Sequence, residues 1–173
     1  MKMAKATESV AAATGNKYYG AKGFGAIGAF FGNYVNFTGR STRREYWWWT
    51  LWYAIISLIA MIGFIIVTVG SVVNWSKLDD LSQFTGKSVI PLLIVVGVFL
   101  LFALAVLLPG LSLTIRRFRD AGVPWWVYVI LLVIEAFASI VFGDESNTAL
   151  FISAAVGITC FVIEALPSKD IPE

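Results

Sequence analysis

Four apolar segments, at about residues 46–73, 89–115, 124–142 and 148–166, decide what this chain can fold into. Each is near or above the ~17–25 residues with which an α-helix crosses the hydrocarbon core of a bilayer. In lipid every backbone N–H and C=O must find a partner inside the chain, and a helix supplies all of them within the segment. Composition agrees, because 58% hydrophobic and 14% charged residues, with a mean hydropathy of +0.79, cannot be hidden inside a 19.0 kDa water-soluble domain. The expected class is all-α: an integral membrane bundle of four transmembrane helices with an amphipathic N-terminal segment.

Residues 1–17 carry lysines and small residues but no apolar core of the ~7–15 residues of a cleavable signal peptide, and read as a mobile cytoplasmic tail. Residues 18–45 form a juxtamembrane segment in which Phe24, Ile27, Phe31, Tyr34 and Val35 recur near helical spacing while Gly20, Gly23, Gly25, Gly28 and Gly32 weaken the helix. It reads as a loose amphipathic segment on the membrane surface or as a Gly-rich lead-in. The transmembrane domain occupies 46–166, and residues 167–173 form a second tail. Within the second span, Pro109-Gly110 predicts a kink rather than an end. Spans three and four, joined by Gly143–Asn147, form a tight antiparallel hairpin, whereas 74–88 is a longer polar loop with Trp75 at its edge.

Eleven of the thirteen lysines and arginines lie in the N-terminal flank, the 116–123 loop and the C-terminal tail. Lys77 and Lys87 alone occupy the other loops, so both termini are expected in the cytoplasm. A net charge of +2 is too small for a nucleic-acid partner. The single cysteine, Cys160, excludes an internal disulfide, and the absence of histidine removes the commonest metal ligand and general base; neither a metal nor a cofactor is expected.

Two stretches share a design. Phe37-Thr-Gly-Arg-Ser-Thr-Arg-Arg-Glu-Tyr-Trp47 precedes the first span, and Arg116-Arg-Phe-Arg-Asp-Ala-Gly-Val-Pro-Trp-Trp126 precedes the third. Each sets arginines and an acid before tryptophans, where phosphate-level water gives way to hydrocarbon. In this order these motifs resemble the bacterial membrane family called domain of unknown function 805, over roughly residues 30–142. The resemblance implies a small polytopic protein of the bacterial cytoplasmic (inner) membrane and brings no established activity with it. The chain has Arg119 where the family often has histidine, a shorter spacer before Trp125, and no Gly/Asn/Pro-rich tail.

The charged residues of the two motifs are the first candidate site: Arg40, Arg43, Arg44, Glu45 and Trp47, with Arg116, Arg117, Arg119, Asp120, Trp125 and Trp126. Glu45 is placed to pair with Arg116, Arg117 or Arg119, and Asp120 with Arg43 or Arg44. Such pairs brace two helix ends at ~0–1 kcal/mol each when exposed. Six guanidiniums also exceed what two acids neutralise, and a planar guanidinium chelates phosphate oxygens in pairs, so anionic lipid headgroups or an acidic protein surface are the expected partners. The second candidate is intramembrane. Glu135 falls about 11 residues, hence ~16 Å, into the third span, where a carboxylate costs ~2.5–3.5 kcal/mol to insert and is expected to face the interior. It shares a stripe with Ser139; Ser57 lies on a stripe of the first helix, and Ser153, Gly157, Cys160 and Glu164 on one of the fourth.

No zinc-binding His-Glu-x-x-His, nucleophile elbow or phosphate loop occurs, and Phe84-Thr-Gly-Lys-Ser88 lacks the first glycine of the last. The expected function is therefore a non-enzymatic module that binds anionic lipid or a partner through the Arg/Trp cluster. The alternative is a small oligomeric transporter or a proton or cation pathway using Glu135. A second copy of the chain or another membrane protein is the partner these readings admit.

Overall fold

The computed structural model describes residues 9–75, 89–143 and 146–169. Of the expected polar loop at 74–88, Asn74 and Trp75 belong to the end of a helix and residues 76–88, with Lys77, Asp79, Asp80, Lys87 and the Phe84–Ser88 stretch, lie outside the described residues, as do residues 1–8 and 170–173 of the two tails. Among the described residues the chain is helical and holds no strand. A short helical stretch at 9–14 precedes α1 (Gly25–Gly32), α2 (Arg43–Trp75), α3 (Val89–Asp120), α4 (Trp125–Phe142) and α5 (Asn147–Ala165). Among the described residues four helices are long and apolar enough to cross a membrane, over Arg43–Val69, Leu93–Asp120, Trp125–Phe142 and Asn147–Ala165. The protein is thus a multi-pass, all-α membrane protein, as its sequence predicts.

Local chemistry sets the helix ends. Thr42 Oγ1 accepts the Glu45 N–H at 3.2 Å, which starts α2 three residues before the apolar run. Helix α3 passes through Pro109 without ending and extends beyond the apolar run to Asp120, with Arg117 and Arg119 in its last turn, where cations meet the negative end of the helix dipole. Gly122, at φ +81°, then turns the chain, and the Val123 N–H closes onto the Phe118 carbonyl at 2.9 Å. Ser146 caps α5 by accepting the Ala149 N–H at 3.0 Å.

Two compact units result. The first contains the residues up to Trp49 and those from Pro109 onward; the second is Thr50–Leu108. In the second, Tyr53 stacks on Phe102 and Phe64 meets Phe99 edge-on, and Met61, Phe64, Val96 and Phe99 line an apolar cleft of about 270 Å³. Its outward side chains are mostly large and apolar, as a lipid-facing surface requires.

The first unit has a core of a different kind. Phe30 lies flat on Trp49, their ring centres 3.4 Å apart, and Phe118 meets Tyr128 edge-on at 5.3 Å. The same unit also buries Asn16, Asn33, Ser41, Glu45, Ser112, Arg116, Arg117 and Asp120. Helices α4 and α5 pack on each other, with Ala138, Ala149 and Val156 buried, matching the expected hairpin.

Two local expectations change. Thr14 and Asn16, assigned by sequence to a mobile tail, are buried, because Asn16 finds hydrogen-bond partners in the 33–45 region. In α1 the buried positions are Ala26, Ala29 and Phe30, while Phe24, Phe31 and Val35 of the expected apolar stripe stand exposed. The reason is close packing on Trp49: small alanines flank Phe30 and let its ring lie flat on the indole.

Candidate functional site

A polar platform underlies the first arginine motif. Asn16 donates to the Arg40 carbonyl at 2.8 Å and to Glu45 Oε2 at 3.2 Å, and its Oδ1 accepts from Asn33 at 2.9 Å. Ser41 Oγ donates to Glu45 Oε1 at 3.0 Å, while Ser112 Oγ on α3 donates to the Asn33 carbonyl at 2.9 Å. The Glu45 carboxylate, 1% exposed, is thereby held by neutral donors. A close backbone crossing locks the loop: a Cβ on Gly39 would sit 2.7 Å from the Gly15 carbonyl oxygen. Asn36 Nδ2 donates to that same oxygen at 2.7 Å.

The six arginines divide by environment. Arg117 is 0% exposed and makes the ion pair with Asp120, Nη1 to Oδ2 at 2.8 Å, three residues along its own helix. Its Nε donates to the Glu164 carbonyl at 2.9 Å and its Nη2 to the Leu166 carbonyl, so the side chain caps the C-terminus of α5. The backbone N–H of Lys169 adds a bond to the Asp120 carbonyl at 2.7 Å, and Tyr19 Oη donates to Asp120 Oδ1 at 2.8 Å. Burial, the hydrogen bond to Asp120 and that carboxylate's charge push the Tyr19 hydroxyl up to about 12.

Arg116 is also fully buried, and its three guanidinium nitrogens have no hydrogen-bond partner among the described residues. The opposite charge acting on it is that of Glu45. Arg40 and Arg119 are half-buried; Arg119 Nη1 donates to the Thr38 carbonyl at 3.2 Å. Only Arg43 and Arg44 are exposed. With Gly20, Thr42 and Ser168 they line a cavity of about 300 Å³ at the start of α2. Cations in the first turn of a helix oppose its dipole, at ~0.3–1 kcal/mol for an exposed charge, so this cavity favours an anion on two counts.

The expected pairings are thus partly exchanged. Glu45 and Arg116 feel each other's charge without a hydrogen bond to the guanidinium, whereas Asp120 takes Arg117 rather than Arg43 or Arg44. Because α3 continues to Asp120, residues 117 and 120 lie one turn apart on one face. Trp47 packs edge-on to Phe161 of α5 at 5.4 Å, while Trp125 and Trp126 are exposed at the start of α4.

Of the intramembrane candidates, Glu135 is exposed on α4 rather than turned inward, and Ser139 and Glu164 are half-buried. Glu164 hydrogen-bonds the Tyr46 hydroxyl, which also meets Thr114. Ser57 is half-buried and belongs to the second unit, so the four do not form one described cluster. Tyr19, Asn16, Asn33 and Tyr46 escaped the sequence reading. An isolated amide amid glycine and alanine was the available signal for the asparagines, since such a group has few reasons to be buried except as a hydrogen-bond hub. No His/Cys/Asp/Glu cluster able to hold a metal occurs among the described residues.

No curated protein and no solved structure matches the chain. A family model described as "Protein of unknown function (DUF805)" matches residues 34–171, which takes in both arginine motifs, all four spans and the Leu166–Lys169 segment that Arg117 and Asp120 hold. The chain therefore belongs to the DUF805 family.

Proposed function

We propose that the protein is a non-enzymatic interaction module of the bacterial cytoplasmic membrane, with both termini in the cytoplasm, that binds an anionic ligand at the start of its first span. The observation that carries this reading is the cavity lined by Arg43, Arg44, Thr42, Gly20 and Ser168. Two exposed arginines line it without an acid among the lining residues, at the positive end of a 33-residue helix. Arg116 and Arg117 are buried and serve the platform beneath, so the ligand-facing part of the Arg/Trp cluster reduces to Arg43 and Arg44. Phosphate-bearing headgroups of membrane lipids have the required charge and depth.

The test is gentle purification of the full-length protein followed by native mass spectrometry. Wild type is expected to retain anionic lipid, and R43Q/R44Q to lose it. Equal lipid recovery from the two proteins would refute the site.

A further inference from the structure

The cavity at the start of α2 concentrates more positive charge than a singly charged headgroup balances. Arg43 and Arg44 both line it, and the helix N-terminus adds roughly half an elementary charge of the same sign. The nearby carboxylates are engaged elsewhere: Glu45 with Ser41 and Asn16, Asp120 with Arg117 and Tyr19, Glu164 with Tyr46. Thr42 adds a neutral hydroxyl whose Oγ1 already accepts the Glu45 N–H, which leaves its own O–H to donate, while the Ser168 hydroxyl in the lining is hydrogen-bonded to Tyr19. Three separate segments, at Gly20, at Thr42–Arg44 and at Ser168, are brought together by the fold to make the lining. The first candidate span begins at Arg43, so the lining lies at the depth of lipid phosphates rather than in bulk water.

Resting on the anion-site reading above, we infer that this cavity selects a lipid whose headgroup ends in a phosphate monoester over lipids with a phosphodiester. A monoester carries about −1.5 to −2 charge at pH 7, with a second pKa near ~6, and presents three free oxygens. Two guanidinium forks and the Thr42 hydroxyl can engage all three. A diester carries one negative charge and two free oxygens, and leaves part of the cavity's charge unbalanced.

The experiment titrates the full-length protein in detergent, at fixed ionic strength, with short-chain phosphatidic acid, short-chain phosphatidylglycerol and glycerol 3-phosphate. At pH 8 phosphatidic acid is expected to bind about tenfold more tightly than phosphatidylglycerol, the effect of roughly one more unit charge against two arginines. Cations favour the dianion, so its second pKa falls on binding, and the preference should shrink as pH drops below about 6. The diester reports any titration of Tyr19, Glu45, Arg117, Asp120 or Lys169, so the ratio isolates the ligand's own proton. R43Q/R44Q is expected to abolish the ratio with unchanged circular dichroism. Should that variant misfold, R43K/R44K keeps the charge, removes the forks and is expected to narrow the ratio. Equal affinity for the two lipids, with both lost in the variant, would overturn monoester selection and leave the anion site standing. Binding unaffected by either variant would overturn both. Glycerol 3-phosphate as tight as phosphatidic acid would show that the ligand is soluble rather than a lipid.

Discussion

Arg117→Met tests whether the buried cation holds the first unit together. Methionine keeps much of the length and the apolar stem, so the change removes the charge and the fork rather than the volume. The side chain is 0% exposed and joins Asp120 to the Glu164 and Leu166 carbonyls. Its loss leaves Asp120 buried, with Tyr19 as the remaining side-chain donor to that carboxylate among the described residues. Breaking a buried pair by removing one partner costs ~3–5 kcal/mol. The two abandoned carbonyls are only partly buried, so water can replace the guanidinium there, and the total should stay within that range. Reversible unfolding in mixed micelles, followed by tryptophan fluorescence, measures the loss. The double variant R117M/D120N removes both charges and should be about 0.5–3 kcal/mol more stable than the sum of the single effects predicts. Additive single effects, or a loss below ~1 kcal/mol for R117M, would refute the latch.

Gly39→Ala should destabilise the same unit by roughly 1–3 kcal/mol, because its Cβ would meet a backbone oxygen that Asn36 also holds. An unchanged midpoint in the same unfolding assay would show that the crossing of residues 15 and 39 is not tight. Tyr19 gives a pH prediction. Its hydroxyl is raised to about 12 in the folded protein against ~10 unfolded, so the folded state favours the neutral form. That contribution is fully present below pH ~10 and is lost as pH rises through about 12. The stability advantage of wild type over Tyr19→Phe should therefore hold steady to pH ~10 and shrink above it, and a constant difference up to pH 12 would contradict the assignment.

The spans were legible because hydropathy acts over a length the bilayer fixes, and neighbouring contacts hardly alter it. Their ends were less so. The apolar run starts at Tyr46, yet α2 starts at Arg43, since Thr42 caps it there. The run after Val89 fades at Ile115, yet α3 continues to Asp120, since arginines suit a helix C-terminus. Those few residues redirected Asp120 to Arg117. Asn16 and Asn33 left no periodic trace, because a hydrogen-bond hub is defined by partners 17 to 29 positions away.

The sequence by itself determined the class, the four spans and the family, each carried by runs or motifs contiguous along the chain. Only the tertiary structure sorted six chemically similar arginines into a latch on α5, a buried charge opposite Glu45, two half-buried neighbours and two exposed residues at a cavity. The reason is that a guanidinium's role depends on burial and on acceptors supplied by distant segments, and neither quantity is written in the residues beside it.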